Sequence, residues 1–201
     1  KKAGTIGQIG CTSFFPSKNL GCFGDGGALM TNNDELAQKI RSITNHGMTT
    51  HYYHDRIGVN SRLDTIQAAV LRIKLKYLNE YNKARNKAAN YYDKALANIP
   101  YIKIPVHSTN SEHIFHQYTI VIENNKRDVL RNYLQEKNIP SMIYYPVPIH
   151  RQKAYSQYNF KNEDFSVTEM LSGKVLSLPM HTELSEEQLN YITDCIRKFK
   201  V

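Results

Sequence analysis

The sequence predicts a mixed α/β fold in two parts, and two observations lead to this prediction. Segments rich in β-branched and aromatic residues alternate with amphipathic segments along most of the chain. One apolar stripe in steps of three and four residues runs from Leu63 to Ala95, which predicts a helix too long for one compact layer. We therefore expect this helix, with a bend, to connect a first domain of residues 1–85 to a second of residues 86–201.

Composition narrows the class of protein. The 201 residues are 41% hydrophobic, which is enough for a core, and no apolar run approaches the length of a membrane span. The three cysteines, Cys11, Cys22 and Cys195, lack the spacing of a metal site, and so low a count is typical of reduced thiols in a cytosol. We expect a cytoplasmic protein without a membrane segment.

The net charge of +8 raises the alternative of nucleic-acid binding. The lysines, however, are spread over predicted helix faces, and no nucleic-acid motif is present. We expect solvated helix faces, no nucleic-acid partner, and a positive field that attracts an anionic substrate.

In the first part, strand-forming residues occupy Ile6–Phe15, and a short strand expected to be buried follows over residues 26–31. Asn32 or Asn33 then caps a helix, which we expect to end with Gly47 in a left-handed conformation. In the second part, strands are predicted over 101–105, 115–122 and 139–146, and helices over 126–138, over 165–173 and after the capping box that starts at Ser185.

A polar loop between Met48 and Arg62 is rich in tyrosine and histidine, including His51 and His54. Such loops invite a metal hypothesis. No cysteine lies nearby and Asp55 is the one adjacent carboxylate, so we expect no metal site here.

The segment of residues 11–27 organises the chain. Its apolar start leads into Lys18, and four glycines follow, which allow a backbone to approach a ligand closely. A lysine packed against Phe14, Phe15 and Pro16 would be partly desolvated, which favours the neutral, nucleophilic amine of a Schiff-base lysine. A solvated surface lysine is the alternative. A Walker phosphate loop is excluded because Ser17, and not glycine, precedes the lysine.

Residues 13–28 have the pattern S-F-x-x-x-K-N-L-G-x-x-G-D-G-G-A. This pattern resembles the active-site segment of the DegT-type (DegT/DnrJ/EryC/StrS) nucleotide-sugar aminotransferases, which depend on pyridoxal 5′-phosphate (PLP). The resemblance implies fold type I, the aspartate-aminotransferase-like α/β fold. The chain would then hold the latter part of the large domain and a small α+β C-terminal domain. By the same resemblance, Lys18 holds PLP through a Schiff base and Ser13 contacts the PLP phosphate.

Two further motifs support the resemblance. Residues 58–69 match G-x-N-x-R-x-x-x-x-Q-A-A, in which the family's asparagine, here Asn60, reaches the PLP phosphate of the other subunit in a homodimer. Arg62 would lie near the sugar substrate. An ordinary capped helix start also accounts for both residues, and the two interpretations are compatible. The third motif, Y-Y-P-V-P-I-H, borders the nucleotide-sugar site in the family and assigns substrate contacts to Tyr145 and His150. The family usually has histidine where this chain has a tyrosine, at the first position of that motif.

The resemblance implies an aminotransferase that moves an amino group, with glutamate as donor, to a keto group of a nucleotide-linked deoxysugar for a bacterial surface polysaccharide. Amination at C3 fits the third motif better than C4. Sugar dehydratases among the relatives have histidine at the position of Lys18, so lysine argues against that branch. The chain starts near the middle of the family's length, and we expect it to be an incomplete active site alone. The alternative is a non-catalytic binding or assembly module that retains the fold.

Overall fold

The computed structural model describes residues 1–160 and 162–200, apart from the side chains of residues 162 and 163. These residues form two compact units, Lys1–Asn79 and a second unit that begins at Glu80. The boundary lies within the helical stretch that the sequence predicts. That stretch consists of α2 (Thr65–Lys74), a 3-10 turn (Leu75–Tyr77) and α3 (Leu78–Leu96).

The first unit contains two small antiparallel sheets and one further helix. Strand β1 (Gly10–Ser13) pairs with β2 (Gly27–Met30), with Ser13 opposite Gly27. Helix α1 covers Asp34–Thr44, and β3 (Met48–Thr50) pairs with β4 (Tyr53–His54). The first predicted strand is therefore correctly placed but shorter than expected, because its pairing partner is four residues long.

The expectation that the second strand is buried is wrong. Leu29 is 46% exposed and Met30 is 39% exposed. The physical reason is the scarcity of apolar cover, since Cys22 and Leu71 are the buried hydrophobic residues among the described residues of this unit. A two-stranded sheet with so few buried neighbours keeps both faces partly accessible.

Helix α1 begins and ends as predicted. The Asn33 side chain accepts a hydrogen bond of 3.0 Å from Leu36 N, and acidic Asp34 and Glu35 occupy the first turn, where the helix dipole favours negative charge. Gly47 has a φ of +79° and donates from its backbone N to Ser42 O at 2.7 Å. This left-handed glycine closes the C-terminal end of the helix.

The second unit is an antiparallel sheet covered by helices. Its strand order is β5 (Ile102–Lys103), β6 (Tyr118–Ile122), β7 (Val175–Leu178), with β6 in the centre. The apolar residues of β6 and β7 pack with those of α3, α4 (Arg127–Glu136) and α6 (Glu186–Lys198) in one core. Between α4 and β7 lie three 3-10 turns and α5: Ile149–Arg151, Lys153–Tyr158, Asn162–Phe165 and Ser166–Ser172.

Two predictions for this unit have opposite outcomes. The capping box at the start of α6 is confirmed, because Ser185 Oγ accepts from Gln188 N at 3.2 Å and Gln188 Oε1 accepts from Ser185 N at 3.0 Å. The strand over 139–146 is wrong, since this segment forms one isolated bridge, between Met142 and Ser177. Pro140 and Pro146 lack the N–H donors that a longer ladder needs.

Within residues 1–160 and 162–200, no helix combines the length and the apolar character that a membrane crossing requires.

Candidate functional site

Lys18 lies in a loop that its own backbone closes. We call residues 14–26 the lysine loop. At its base Phe14 N donates to Gly26 O at 2.8 Å, and Cys22 N donates to Phe14 O at 2.7 Å. Lys18 N donates to Phe15 O at 2.8 Å, which makes a tight turn directly before the lysine. The β1–β2 pair therefore presents Lys18 on a loop with a defined backbone.

The side chain of Lys18 is half-buried, and it forms no hydrogen bond or ion pair with any residue that the structure describes. An amine without a carboxylate partner keeps its lone pair accessible once it loses its proton. A primary amine in this state can form a Schiff base with a carbonyl group. A structural ion pair would require a carboxylate beside it.

Ser13 ends β1 just before the lysine loop. Its Oγ accepts a hydrogen bond of 3.2 Å from Phe15 N, and this bond orients the hydroxyl. The hydroxyl proton remains available, because a serine oxygen can accept and donate at the same time. Ser13 is exposed, so this donor can reach a phosphate oxygen.

Asn60 lies on an extended segment that is fastened to the end of α1. Val59 N donates to Ile43 O at 2.7 Å, and Ser61 N donates to Thr44 O at 2.9 Å. Asn60 itself forms an isolated antiparallel bridge with Asn45 and is exposed. The backbone of Asn60 is therefore fixed, and the residue is accessible to a ligand.

Arg62 follows on the same segment, and its Nη1 lies 3.4 Å from Asn45 Oδ1. The interpretation of this region as an ordinary helix start predicts a capping side chain. Asp64 precedes α2 as its N-cap residue but makes no side-chain capping bond. The helix start alone therefore does not account for the polar residues between Asn60 and Asp64.

The structure brings some of the predicted site residues together and leaves others apart. An open cavity of about 1050 Å³ in the first unit is lined by Asn60 and Arg62, together with Asp25, Arg41 and Asp64 among others. Ser13 and Lys18 do not belong to its lining. The cavity is thus an open, polar concavity that is lined by both acidic and basic side chains.

Tyr145 and His150 belong to the second unit and differ in their surroundings. Tyr145 is 72% exposed. The His150 side chain is 6% exposed, and its Nε2 lies 2.6 Å from Glu169 Oε1. Its ring also stacks on Phe165, with 4.4 Å between the ring centres. His150 is thus held in one orientation.

Glu169 was not identified from the sequence, and its carboxylate holds the His150 ring. It also accepts a hydrogen bond from Arg151 Nε. Burial raises the pKa of the Glu169 carboxyl, but the hydrogen bonds from His150 and Arg151 outweigh this effect and lower the pKa overall. No motif spacing links residues 150 and 169, so only the fold reveals this pair. Glu169 is an anion at neutral pH and fixes the histidine.

Comparison with known proteins places these residues in context. Residues 1–197 match the DegT/DnrJ/EryC1/StrS aminotransferase family. Over 195 residues the chain is 44% identical to UDP-N-acetyl-3-dehydro-alpha-D-glucosamine 3-aminotransferase of Acidithiobacillus ferrooxidans, which covers 97% of this chain and 52% of that relative. Over 192 residues it is 40% identical to UDP-2-acetamido-2-deoxy-3-oxo-D-glucuronate aminotransferase of Pseudomonas aeruginosa, with 96% and 52% covered.

The fold has the same relatives. The crystal structure of a DegT DnrJ EryC1 StrS aminotransferase from Brucella abortus matches with a TM-score of 0.89 at 46% identity, covering 96% of this chain and 51% of that one. The fold class predicted from the sequence is thereby confirmed. The chain spans about half the length of the curated relatives that it matches, 52% in both cases above.

Proposed function

Because the chain belongs to the DegT/DnrJ/EryC1/StrS aminotransferase family, we propose that it is the lysine-bearing C-terminal portion of a nucleotide-sugar aminotransferase. The family is PLP-dependent. The observation that supports the proposal most directly is Lys18, a half-buried amine without a described partner on a loop closed by its own backbone.

Three residues of this chain suit the cofactor. Lys18 Nζ would hold PLP covalently, and the Ser13 hydroxyl, already oriented by Phe15 N, would donate to the phosphate. Asn60 has a fixed backbone and is exposed, as a residue that acts on a second subunit requires. We therefore include a homodimer in the proposal, with Asn60 donating to the phosphate in the other protomer.

When bound, PLP supplies the electron sink for nitrogen transfer. Lys18 Nζ would act as the general base that removes the proton from the carbon bearing the donor's amino group, because its tether keeps it beside that carbon. The chain itself must then orient two substrates in turn, an amino donor and a keto sugar. The donor that we propose is glutamate.

The sugar substrate follows from the relatives and from the second unit. Both curated relatives described above have names that place the keto or amino group at C3. We propose a nucleotide-linked 3-keto sugar, with Arg62, Tyr145 and His150 in contact with it. His150 presents a ring that Glu169 and Phe165 hold, which suits a directed hydrogen bond to a sugar hydroxyl.

The test uses the full-length protein that contains this chain. The protein is incubated with PLP and reduced with borohydride, and the modified lysine is located by peptide mass spectrometry. Amination of a nucleotide-linked 3-keto sugar with glutamate is measured in parallel. We expect the pyridoxyl group on Lys18. We also expect Lys18→Ala to lose the label and at least about 10³-fold in kcat, because it removes both the attachment point and the general base.

Lys39→Ala is the matched control, because Lys39 is an exposed lysine of α1 without a described partner. It should label and react like the wild type. Wild-type protein that is not labelled at Lys18, or Lys18→Ala protein that still aminates the sugar, would contradict the proposal. Labelling without amination would replace the enzyme with a cofactor-binding module.

A further inference from the structure

The part of the lysine loop that follows Lys18 lies outside the β1–β2 ladder. The ladder extends from Gly10 to Ser13 on one strand and from Gly27 to Met30 on the other. The loop's own backbone holds this part through the hydrogen bond from Cys22 N to Phe14 O. The Lys18 side chain adds no described contact that would fix it. The direction of Lys18 therefore depends on how firmly the backbone after it is held.

Helix α2 supplies two side-chain contacts to this backbone. Gln67 Oε1 accepts a hydrogen bond of 2.8 Å from Phe23 N. Lys74 Nζ donates to Gly21 O at 2.8 Å, and the same ammonium lies 4.9 Å from the centre of the Phe23 ring. Both ends of Gly21–Phe23 are therefore attached to one helix, by a neutral hydrogen bond and by a charge-assisted one with a cation–π contact.

The spacing on α2 matches these contacts. Gln67 and Lys74 are seven residues apart, about two helical turns, so their side chains lie on one face. Leu71 lies between them on that face and is the buried residue of α2. The helix thus turns its buried side toward the lysine loop. The contact of Lys74 with Gly21 O is partly buried, and the hydrogen bond between Phe23 N and Gln67 is exposed.

Gly24 allows the helix to approach this closely. A Cβ atom at this position would lie 3.1 Å from Gln67 Nε2, which is tighter than ordinary packing. A glycine here lets the amide of Gln67 lie against the loop while its oxygen reaches Phe23 N. The glycine of the loop and the glutamine of the helix are therefore sterically complementary at this point.

We propose that Gln67 and Lys74, which we name the α2 clamp, are positioning residues that set the direction of Lys18 for proton transfer. The inference rests on the proposed function. The clamp touches neither the substrate nor the reacting atoms; it fixes the backbone between Gly21 and Phe23, three to five residues after the lysine. Misplacing a catalytic group by about 1 Å can cost about 10²-fold in rate, so small movements of this loop matter.

The experiment separates positioning from general stability. In the full-length protein, Gln67→Ala and Lys74→Ala should each lower kcat roughly 10- to 100-fold while the KM for the nucleotide sugar changes less than about twofold. Gln67→Glu keeps the acceptor and Lys74→Arg keeps the donor and the cation, so both should recover most of the lost kcat. Lys76→Ala, which removes an exposed lysine without a described partner, is the control.

A second measurement does not need catalysis. Hydrogen exchange of the Phe23 amide should accelerate in Gln67→Ala, because its acceptor is lost, and remain at the wild-type rate in Lys76→Ala. Unchanged exchange would overturn the clamp. Faster exchange with unchanged kcat would overturn its positioning role, as would a loss of kcat that Lys74→Arg does not restore. Wild-type protein that is not labelled at Lys18 would overturn the proposed function and, with it, the role of the clamp. Labelled wild type with fully active variants would overturn the clamp alone.

Discussion

At the scale of single residues, the Glu123 carboxylate is held between two lysines. Its two oxygens accept from Lys103 Nζ at 2.8 Å and from Lys174 Nζ at 2.6 Å. These hydrogen bonds, with the lysine charges behind them, lower the pKa of the Glu123 carboxyl to about 2. Glu123 follows β6, Lys103 ends β5 and Lys174 precedes β7, so the three residues join all three strands of the sheet.

This pairing predicts a pH dependence of stability. The folded-state pKa lies below the ordinary value, so the contribution to the unfolding free energy is fully present above about pH 4.5 and is lost as pH falls toward 2. Glu123→Gln should therefore be less stable than the wild type at pH 6, and the difference should shrink toward pH 2. Urea unfolding at several pH values measures it.

The control is Glu136→Gln, because Glu136 is an exposed carboxylate of α4 with no described ion pair. Its stability difference from the wild type should stay small across the same pH range. A Glu123→Gln difference that is constant with pH would show that the two lysines do not favour the charged carboxylate in solution.

Local sequence patterns could predict part of the candidate site but not its supports. Lys18 and Ser13 lie in one uninterrupted motif, so their identities are visible in a single stretch of sequence. Glu169 and Lys74 are distant in sequence from the residues that they hold, and both contacts depend on helix packing. No local sequence pattern predicts such contacts, because the tertiary fold determines which distant residues come together. Their roles at the site remain predictions.

At the scale of elements, the left-handed conformation of Gly47 determines the course of the chain after α1. Gly47 has a φ of +79°, and a Cβ atom there would lie 1.7 Å from Arg56 O. The chain between Arg56 and Asn60 therefore passes directly against this glycine. The same turn brings Asn60 beside Asn45 at the end of the helix.

Gly47→Ala should lower the unfolding free energy by roughly 1–3 kcal/mol, because alanine strains the left-handed backbone and the added carbon displaces the neighbouring chain. Urea unfolding of the variant gives the value. Gly7→Ala is the matched control in the same unit, since a Cβ atom at Gly7 would have no neighbour within 4 Å. Equal stability of the two variants would mean that the turn relaxes at no cost.

Elements were predictable where a local signal sets their limits. The Asn33 cap and the capping box at Ser185 place the starts of α1 and α6 correctly, because capping is a contact over three residues. The strand over 139–146 was predicted from its apolar residues, yet its prolines restrict it to one bridge. Strand length depends on a distant partner, so composition alone overestimates it.

At the scale of the whole chain, burial is distributed unequally. Every member of the large hydrophobic core cluster lies between Ala88 and Phe199, in the second unit. The described residues of the first unit contribute Cys22 and Leu71 as buried hydrophobic side chains. Apolar burial supplies most of the favourable free energy of folding, so the two units differ in their capacity to fold alone.

We expect residues 80–201, expressed by themselves, to unfold in one cooperative urea transition with dispersed amide NMR signals. Residues 1–79 should show no such transition, because too little apolar surface is buried to offset chain entropy. Circular dichroism and NMR of the two fragments provide the comparison. A cooperative transition in residues 1–79, or its absence in residues 80–201, would contradict this view of the core.

The separation of Gln67 from Lys74 also restricts how this chain can evolve in length. Substitutions at the exposed positions between them leave both contacts in place. An insertion or deletion of one residue would rotate Lys74 by about 100° around α2 and shift it by about 1.5 Å along the axis, away from Gly21. Over generations, the exposed positions between Gln67 and Lys74 can therefore change identity, while Leu71 stays apolar and the number of residues stays constant.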